Sequence, residues 1–189
     1  MKPKDEKKLD AVIVATCRLA AERGLLGLTL TDIAKEAGIG TSTLYVYFKD
    51  KEELFNEVYR HAKREAIDFY SDIDASAPLK ARVRSVWNRI LDHRLSRYDQ
   101  VSFMEQFVGS SFMNEETRAY TAMIGNGLLQ IVIEGQRDEI LKPVPVAFLN
   151  SFFIGSVRET ARLIRSGAIA DSEESRAVAF QLCWDGIRN

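Results

Sequence analysis

Residue types that define whole classes of protein are scarce in this chain. Its 189 residues hold two cysteines, Cys17 and Cys183, and two histidines, His61 and His93. Two cysteines so far apart cannot build a disulfide framework, and both fall in apolar helical patterns, as reduced buried thiols do. Neither histidine has cysteine or carboxylate neighbours at zinc-ligand spacing, so no metal site is expected. There is no P-loop and no nucleophile elbow, and Gly38-x-Gly40 follows a helical pattern rather than a strand, which fails the context of a dinucleotide fingerprint. No catalytic residue and no cofactor is therefore expected. Alternating Val/Ile/Thr runs bounded by hairpin turns are missing, which argues against a sheet. No run reaches the roughly 18 apolar residues of a membrane helix, and no signal-peptide pattern opens the chain. A cytoplasmic protein with no membrane partner is the expectation. Charge of one sign is also lacking: the formal net charge is −1.

Helical periodicity is present almost throughout. Leu9, Ile13, Thr16 and Ala20 mark one face of a first helix that stops near Gly24. Short helices are expected before Gly38 and over about 41–48. Asp50 with Glu53 has capping-box spacing and opens a long helix carrying Leu54, Val58, Ala62 and Phe69. The segment 71–78 is rich in turn residues and marks a boundary. Further helices are expected at about 78–97, 100–110, 115–137, 144–166 and 172–188, the last three opened by Asn114, Pro143 and Asp171-Ser172. The class is all-α: an N-terminal three-helix head over residues 1–52, a connecting helix over 53–75, and a helical body over 76–189.

The segment from Thr29 to Phe48 carries the chemistry. Gly38 can take the positive φ that ends one helix and reverses the chain. Ala34 and Ala37 are small enough for close helix crossing, and Ile33, Ile39, Leu44 and Phe48 supply a shared core. A helix-turn-helix needs this arrangement, in which one helix braces and the next enters the major groove. Thr41, Ser42, Thr43, Tyr45 and Tyr47 carry hydroxyls suited to phosphates or base edges, Lys49 and Lys51 follow, and Thr31 is expected to cap the bracing helix. Residues 1–51 hold nine Lys/Arg against seven acids, with Lys2, Lys4, Lys7 and Lys8 clustered at the start. The eight candidate DNA contacts are Thr31, Thr41, Ser42, Thr43, Tyr45, Tyr47, Lys49 and Lys51.

This segment resembles the TetR (tetracycline repressor) family pattern, a T-x-x-x-I-A-x-x-A-G turn followed by T-L-Y-x-Y-F and a lysine-rich start to a long helix. Residues 9–59 fit it, including Glu22-Arg23-Gly24. Asp32 and Gly40 depart from it, standing where many members carry basic or other polar side chains. The resemblance implies an all-helical homodimer that binds a palindromic operator in double-stranded DNA and is released by a small effector. Repression is the direction it implies.

The rest of the chain carries no such motif. Trp87, Phe103, Met104, Phe107, Phe112, Tyr120, Met123 and Phe152 form an aromatic and methionine set that could line an adaptable pocket. A largely apolar effector, aromatic or lipid-like, is expected there. Two C-terminal helices carry apolar residues on more than one face, which calls for a partner. Leu149, Phe153, Gly155, Ser156, Thr160, Ala177, Phe180 and Trp184 are the candidate dimer contacts. An all-helical enzyme is disfavoured by the lack of paired catalytic groups. A helical small-molecule-binding or scaffold protein without a DNA role is disfavoured by the hydroxyl-and-lysine face of residues 41–51.

Overall fold

A computed structural model describes residues 3–67, 73–124 and 126–189. Its helices are α1 (Pro3–Arg23), α2 (Leu30–Glu36), α3 (Thr41–Tyr47), α4 (Lys51–Ile67), α5 (Leu79–Ser96), α6 (Tyr98–Val108), α7 (Glu115–Ile124), α8 (Asn126–Arg137), α9 (Val146–Arg165) and α10 (Glu173–Ile187). Among the described residues the only β pairing is an isolated antiparallel bridge, Leu141 with Arg188. The all-α expectation holds. Phe69, the first part of the expected 71–78 break and residue 125 lie outside the described residues.

The chain forms two compact units. Unit 1 takes residues 1–66 and 97–123; unit 2 takes 67–96 and 124–189. This differs from the division expected from sequence, which placed everything after residue 75 in one body. The reason is on α6. Phe103 and Phe107 stand one turn apart and are fully buried in the same core as the helix-turn-helix. Phe103 meets Phe55 of α4 edge-on at 5.8 Å, and Phe107 lies 4.8 Å from Tyr59. Helix α4 is likewise no mere connector. Leu54, Phe55, Val58 and Tyr59 are wholly buried in that core, each contributing roughly 1.5–3 kcal/mol.

Polar groups pin unit 1 at its turns. The Gln106 side chain of α6 donates to the Ala20 carbonyl (3.0 Å) and accepts from the Leu25 amide (2.8 Å), so it seals the end of α1. Asn56 of α4 donates to the Phe112 carbonyl (2.7 Å) and accepts from the Asn114 amide (3.1 Å), fixing the loop before α7.

Unit 2 is built from α5, α8, α9 and α10 around Val86, Trp87, Leu91, Val157 and Phe180. The Trp87 indole packs edge-on against Phe180 at 6.0 Å. Its N–H donates to the Ser156 hydroxyl (3.0 Å), which donates onward to the Phe153 carbonyl (2.7 Å). A buried tryptophan is tolerated here because that one polar atom has a partner.

Candidate nucleic-acid interface

The turn between α2 and α3 is a Schellman motif. The Ile39 amide donates to the Ala34 carbonyl (3.0 Å) and the Gly38 amide to Lys35 (3.2 Å). Gly38 sits at φ +68°, a conformation that favours glycine. The start of α2 is closed by a capping box. Thr29 is the N-cap: its hydroxyl accepts from the Asp32 amide, and the Asp32 carboxylate accepts from the Thr29 amide. The Thr29 hydroxyl also donates to that carboxylate and holds its pKa below the usual carboxylate range. The expected cap at Thr31 is thus displaced by two residues; Thr31 lies exposed in the first turn of α2. Asp32, which reads in sequence as a group that would repel phosphate, has its carboxylate engaged in shaping this turn.

Helix α3 buries Leu44 completely, and Phe48 follows it into the core. The opposite face is open. Ser42, Tyr45 and Val46 are exposed, and their spacing of three and four residues places them on one stripe; Lys49 is exposed just beyond the helix end, where Phe48 has turned to extended backbone. Thr41, Thr43 and Tyr47 are half-buried along its edges. Val46, 82% exposed, was missed in the sequence because hydroxyls were sought there. An exposed aliphatic side chain beside hydroxyls can meet a thymine methyl in the major groove.

The two expected lysines part company. Lys49 is exposed. The Lys51 ammonium instead donates to the Leu28 carbonyl (3.1 Å) and reaches that of Leu26 (3.4 Å). It also lies 5.0 Å from the centre of the Phe112 ring. Lys51 therefore ties the α1–α2 loop to α4, and its charge is already engaged. The side chains of Lys2 and Lys4 fall outside the described residues.

The expected pocket set does not converge. Phe103, Met104, Phe107 and Phe112 pack into the unit 1 core, with Phe103 and Phe107 stacked at 5.8 Å. Tyr120 is half-buried on α7 and Met123 is 66% exposed. Trp87 and Phe152 belong to unit 2, Trp87 fully buried and Phe152 half exposed. Within unit 2, Val83, Leu128, Ile131, Leu149, Phe153 and Ile187 enclose an apolar void of about 10 Å³. That is room for about one water molecule at most, which takes roughly 10–15 Å³ on the same measure, so this void has no space for a larger ligand as it stands.

The expected dimer contacts are also corrected. Leu149, Phe153, Thr160, Phe180 and Trp184 are buried inside their own chain, Gly155 and Ala177 are half-buried, and Ser156 serves Trp87. The outward apolar stripe lies elsewhere on the same helices: Phe148 and Phe152 on α9, Val178 and Leu182 on α10. Phe152 rests against Gly186, where a Cβ would fall 2.4 Å from its ring. Helical period alone left open which of two apolar stripes faced inward.

Residues 12–58 match the family model of bacterial regulatory proteins of the tetR family. A solved TetR family transcription regulator from Marinobacter aquaeolei VT8 superposes with a TM-score of 0.90 at 27% identity, covering 100% of both chains.

The helix-turn-helix segment is that of the tetR family of bacterial regulatory proteins.

Two curated relatives match the chain over different lengths. A fatty acid metabolism regulator protein of Bacillus subtilis is 26% identical over 168 residues, spanning 85% of this chain and 84% of the relative. An uncharacterized HTH-type transcriptional regulator of Haemophilus influenzae is 33% identical over 82 residues, but the match spans only 43% of this chain and 44% of that protein. The TetR-type model begins inside α1 and ends inside α4, so it covers the motif just described and none of unit 2.

Proposed function

We propose that this chain is a TetR-family homodimeric transcriptional repressor that binds a palindromic operator through α3 and is released by a largely apolar effector. The observation that carries the reading is the exposed stripe of Ser42, Tyr45 and Val46 on α3, with Lys49 exposed just past its end, behind a helix closed by a capping box and a Schellman turn. Tyr45 and Val46 offer base-edge and methyl contacts, while Lys49 and the half-buried Thr41, Thr43 and Tyr47 suit the phosphate backbone. Thr31 flanks the same surface from α2.

The partner for a second copy is the apolar stripe of α9 and α10. Phe148 and Leu182 are each 69% exposed, and a self-complementary apolar stripe is the surface a two-fold dimer uses. Two copies would read half-sites one helical turn apart or a multiple of it.

An apolar effector is supported by the relatedness to a fatty acid metabolism regulator over most of both chains. A long-chain acyl compound is the class that follows. Since the void in unit 2 is too small, the effector must separate side chains that are now in contact. It acts only if it binds the DNA-free arrangement more tightly than the bound one. Because α4 shares the core of α3, a shift of α4 carries the reading face with it.

The test is selection of bound fragments from random-sequence duplex DNA, followed by titration of the winning site with saturated acyl compounds. Enrichment of a two-fold symmetric site, released by the long chains, is expected. No enrichment at moderate salt would refute the DNA role; release by charged sugars or metals alone would refute the apolar effector.

A further inference from the structure

Helices α4 and α7 of unit 1 are joined by polar side chains that pair in order along the seam. Asn56 answers the loop at Phe112 and Asn114, and Arg60 donates to the Thr117 hydroxyl at 2.9 Å. The nearby acids are used by arginines: Glu57 pairs with Arg60 (2.8 Å) and Arg64 (3.1 Å), and Glu116 lies 3.9 Å from Arg60.

The next groups break the pattern. Tyr59 is fully buried, and its hydroxyl makes no well-formed hydrogen bond; the Thr121 hydroxyl is the polar group it can reach. That hydroxyl already donates to the Thr117 carbonyl (2.8 Å). One turn on, the Lys63 ammonium lies 5.8 Å from the Tyr59 ring centre, and no acid among the described residues pairs with it. Burial favours the neutral form of Lys63 and raises the Tyr59 hydroxyl above its ordinary range. A half-buried ammonium without an acid partner and a buried phenol without a well-formed hydrogen bond thus stand side by side as donors with no strong acceptor. A ligand oxygen that accepts from both would satisfy them together.

We propose that Lys63 and Tyr59 form the receptor for an anionic oxygen head, a carboxylate or a phosphate monoester, carried by the effector. The inference rests on the apolar-effector reading above and adds the polar end of the same molecule. The Lys63 ammonium supplies the charge, and the Tyr59 hydroxyl supplies a directed donor that orients the head. The cation–π contact with Tyr59 keeps the ammonium in place while the site is empty. The Arg60 and Arg64 guanidiniums each have a carboxylate partner in Glu57, and Arg60 also faces Glu116, whereas no acid among the described residues pairs with Lys63.

The experiment is calorimetric titration of the full chain with sodium dodecanoate, dodecyl phosphate and dodecan-1-ol, each below its aggregation concentration. At least one anion should bind about tenfold or more tighter than the alcohol, the scale of one charge-assisted hydrogen bond. Which anion wins identifies the head. Lys63→Met should erase the preference and Lys63→Arg should keep it. Tyr59→Phe should reduce it. Tyr59→Phe should melt no lower than wild type, because it removes a buried hydroxyl that lacks a well-formed hydrogen bond, and Lys63→Met should do the same, because it removes a half-buried charge that no acid pairs. Equal binding of all three probes, or a preference that survives Lys63→Met, overturns the head site while leaving the apolar effector standing. Binding of none of the three overturns both.

Discussion

Helix α3 and the pair α9 and α10 present stripes to solvent whose chemistry could hardly differ more. On and just after α3 the open surface is mixed: a hydroxyl, a phenol, an aliphatic group and an ammonium at Ser42, Tyr45, Val46 and Lys49. On α9 and α10 it is wholly apolar: Phe148, Phe152, Val178 and Leu182. The first stripe can satisfy a partner dense in acceptors and negative charge, and would be dry against another protein only at a cost in desolvation. The second has nothing to offer a phosphate. It gains by being covered, at roughly 25 cal/mol per Å² of apolar area removed from water. One chain thus carries two surfaces suited by their chemistry to different partners, and each can be altered without touching the other.

The largest effect is expected where the comparison is internal to α9 and α10. Phe180→Asp buries a charge in the core of unit 2 and should prevent folding, a loss of more than about 4 kcal/mol by chemical denaturation. Phe152→Asp, on the outer stripe, should leave a folded protein that runs as a monomer by light scattering at micromolar concentration. If Phe152→Asp stays dimeric while Phe180→Asp folds as a monomer, the inward and outward stripes have been exchanged. Next comes the reading stripe. Tyr45→Ala and Val46→Ser should each weaken the selected operator by about 1–3 kcal/mol without lowering the melting temperature, measured by titration of labelled duplex and by calorimetry. Val46→Ser should lose most at sites that carry thymine opposite it.

A smaller contrast separates the two lysines that sequence treats alike. Lys49→Ala should flatten the salt dependence of DNA binding by about one unit. Lys51→Ala should leave that slope unchanged and cost about 1–2 kcal/mol of stability, since it frees two loop carbonyls and a ring contact. The smallest effect concerns the cap of α2. Thr29→Ala should cost about 1 kcal/mol, and Thr31→Ala almost nothing. The Asp32 carboxylate titrates below its ordinary range in the folded protein. Its contribution is therefore complete above the unfolded carboxylate value and is lost as pH falls through the lower folded one. The gap in melting temperature between wild type and Thr29→Ala should be flat near neutrality and narrow only in acid.

Much of unit 1 was legible because its signals are local. Gly38, the small Ala34 and Ala37, and the hydrophobic run to Phe48 each constrain a turn or a crossing within a few residues. The cap was misplaced by two residues because Thr29 and Thr31 offer the same hydroxyl, and only the backbone decides which donors it meets. Lys51 was misread because its partners, Leu26 and Leu28, stand more than twenty residues away. The same holds for Phe103 and Phe107, whose i, i+4 spacing announces a buried face without saying that α4 covers it. On α10 the periodicity is weakest as a guide. Phe180 with Trp184 and Val178 with Leu182 are both apolar pairs one turn apart, and only the packing of Trp87 against Phe180 picks the inner one.

The central claim is that the mixed stripe reads DNA while the apolar stripe pairs two readers. Sedimentation of the wild-type chain and of Phe152→Asp on the selected operator tests it most directly. Two wild-type chains per symmetric site, with only weak single-chain binding to either half-site for Phe152→Asp, is the predicted result. Full-affinity binding of one chain per site, unchanged by Phe152→Asp, would contradict it.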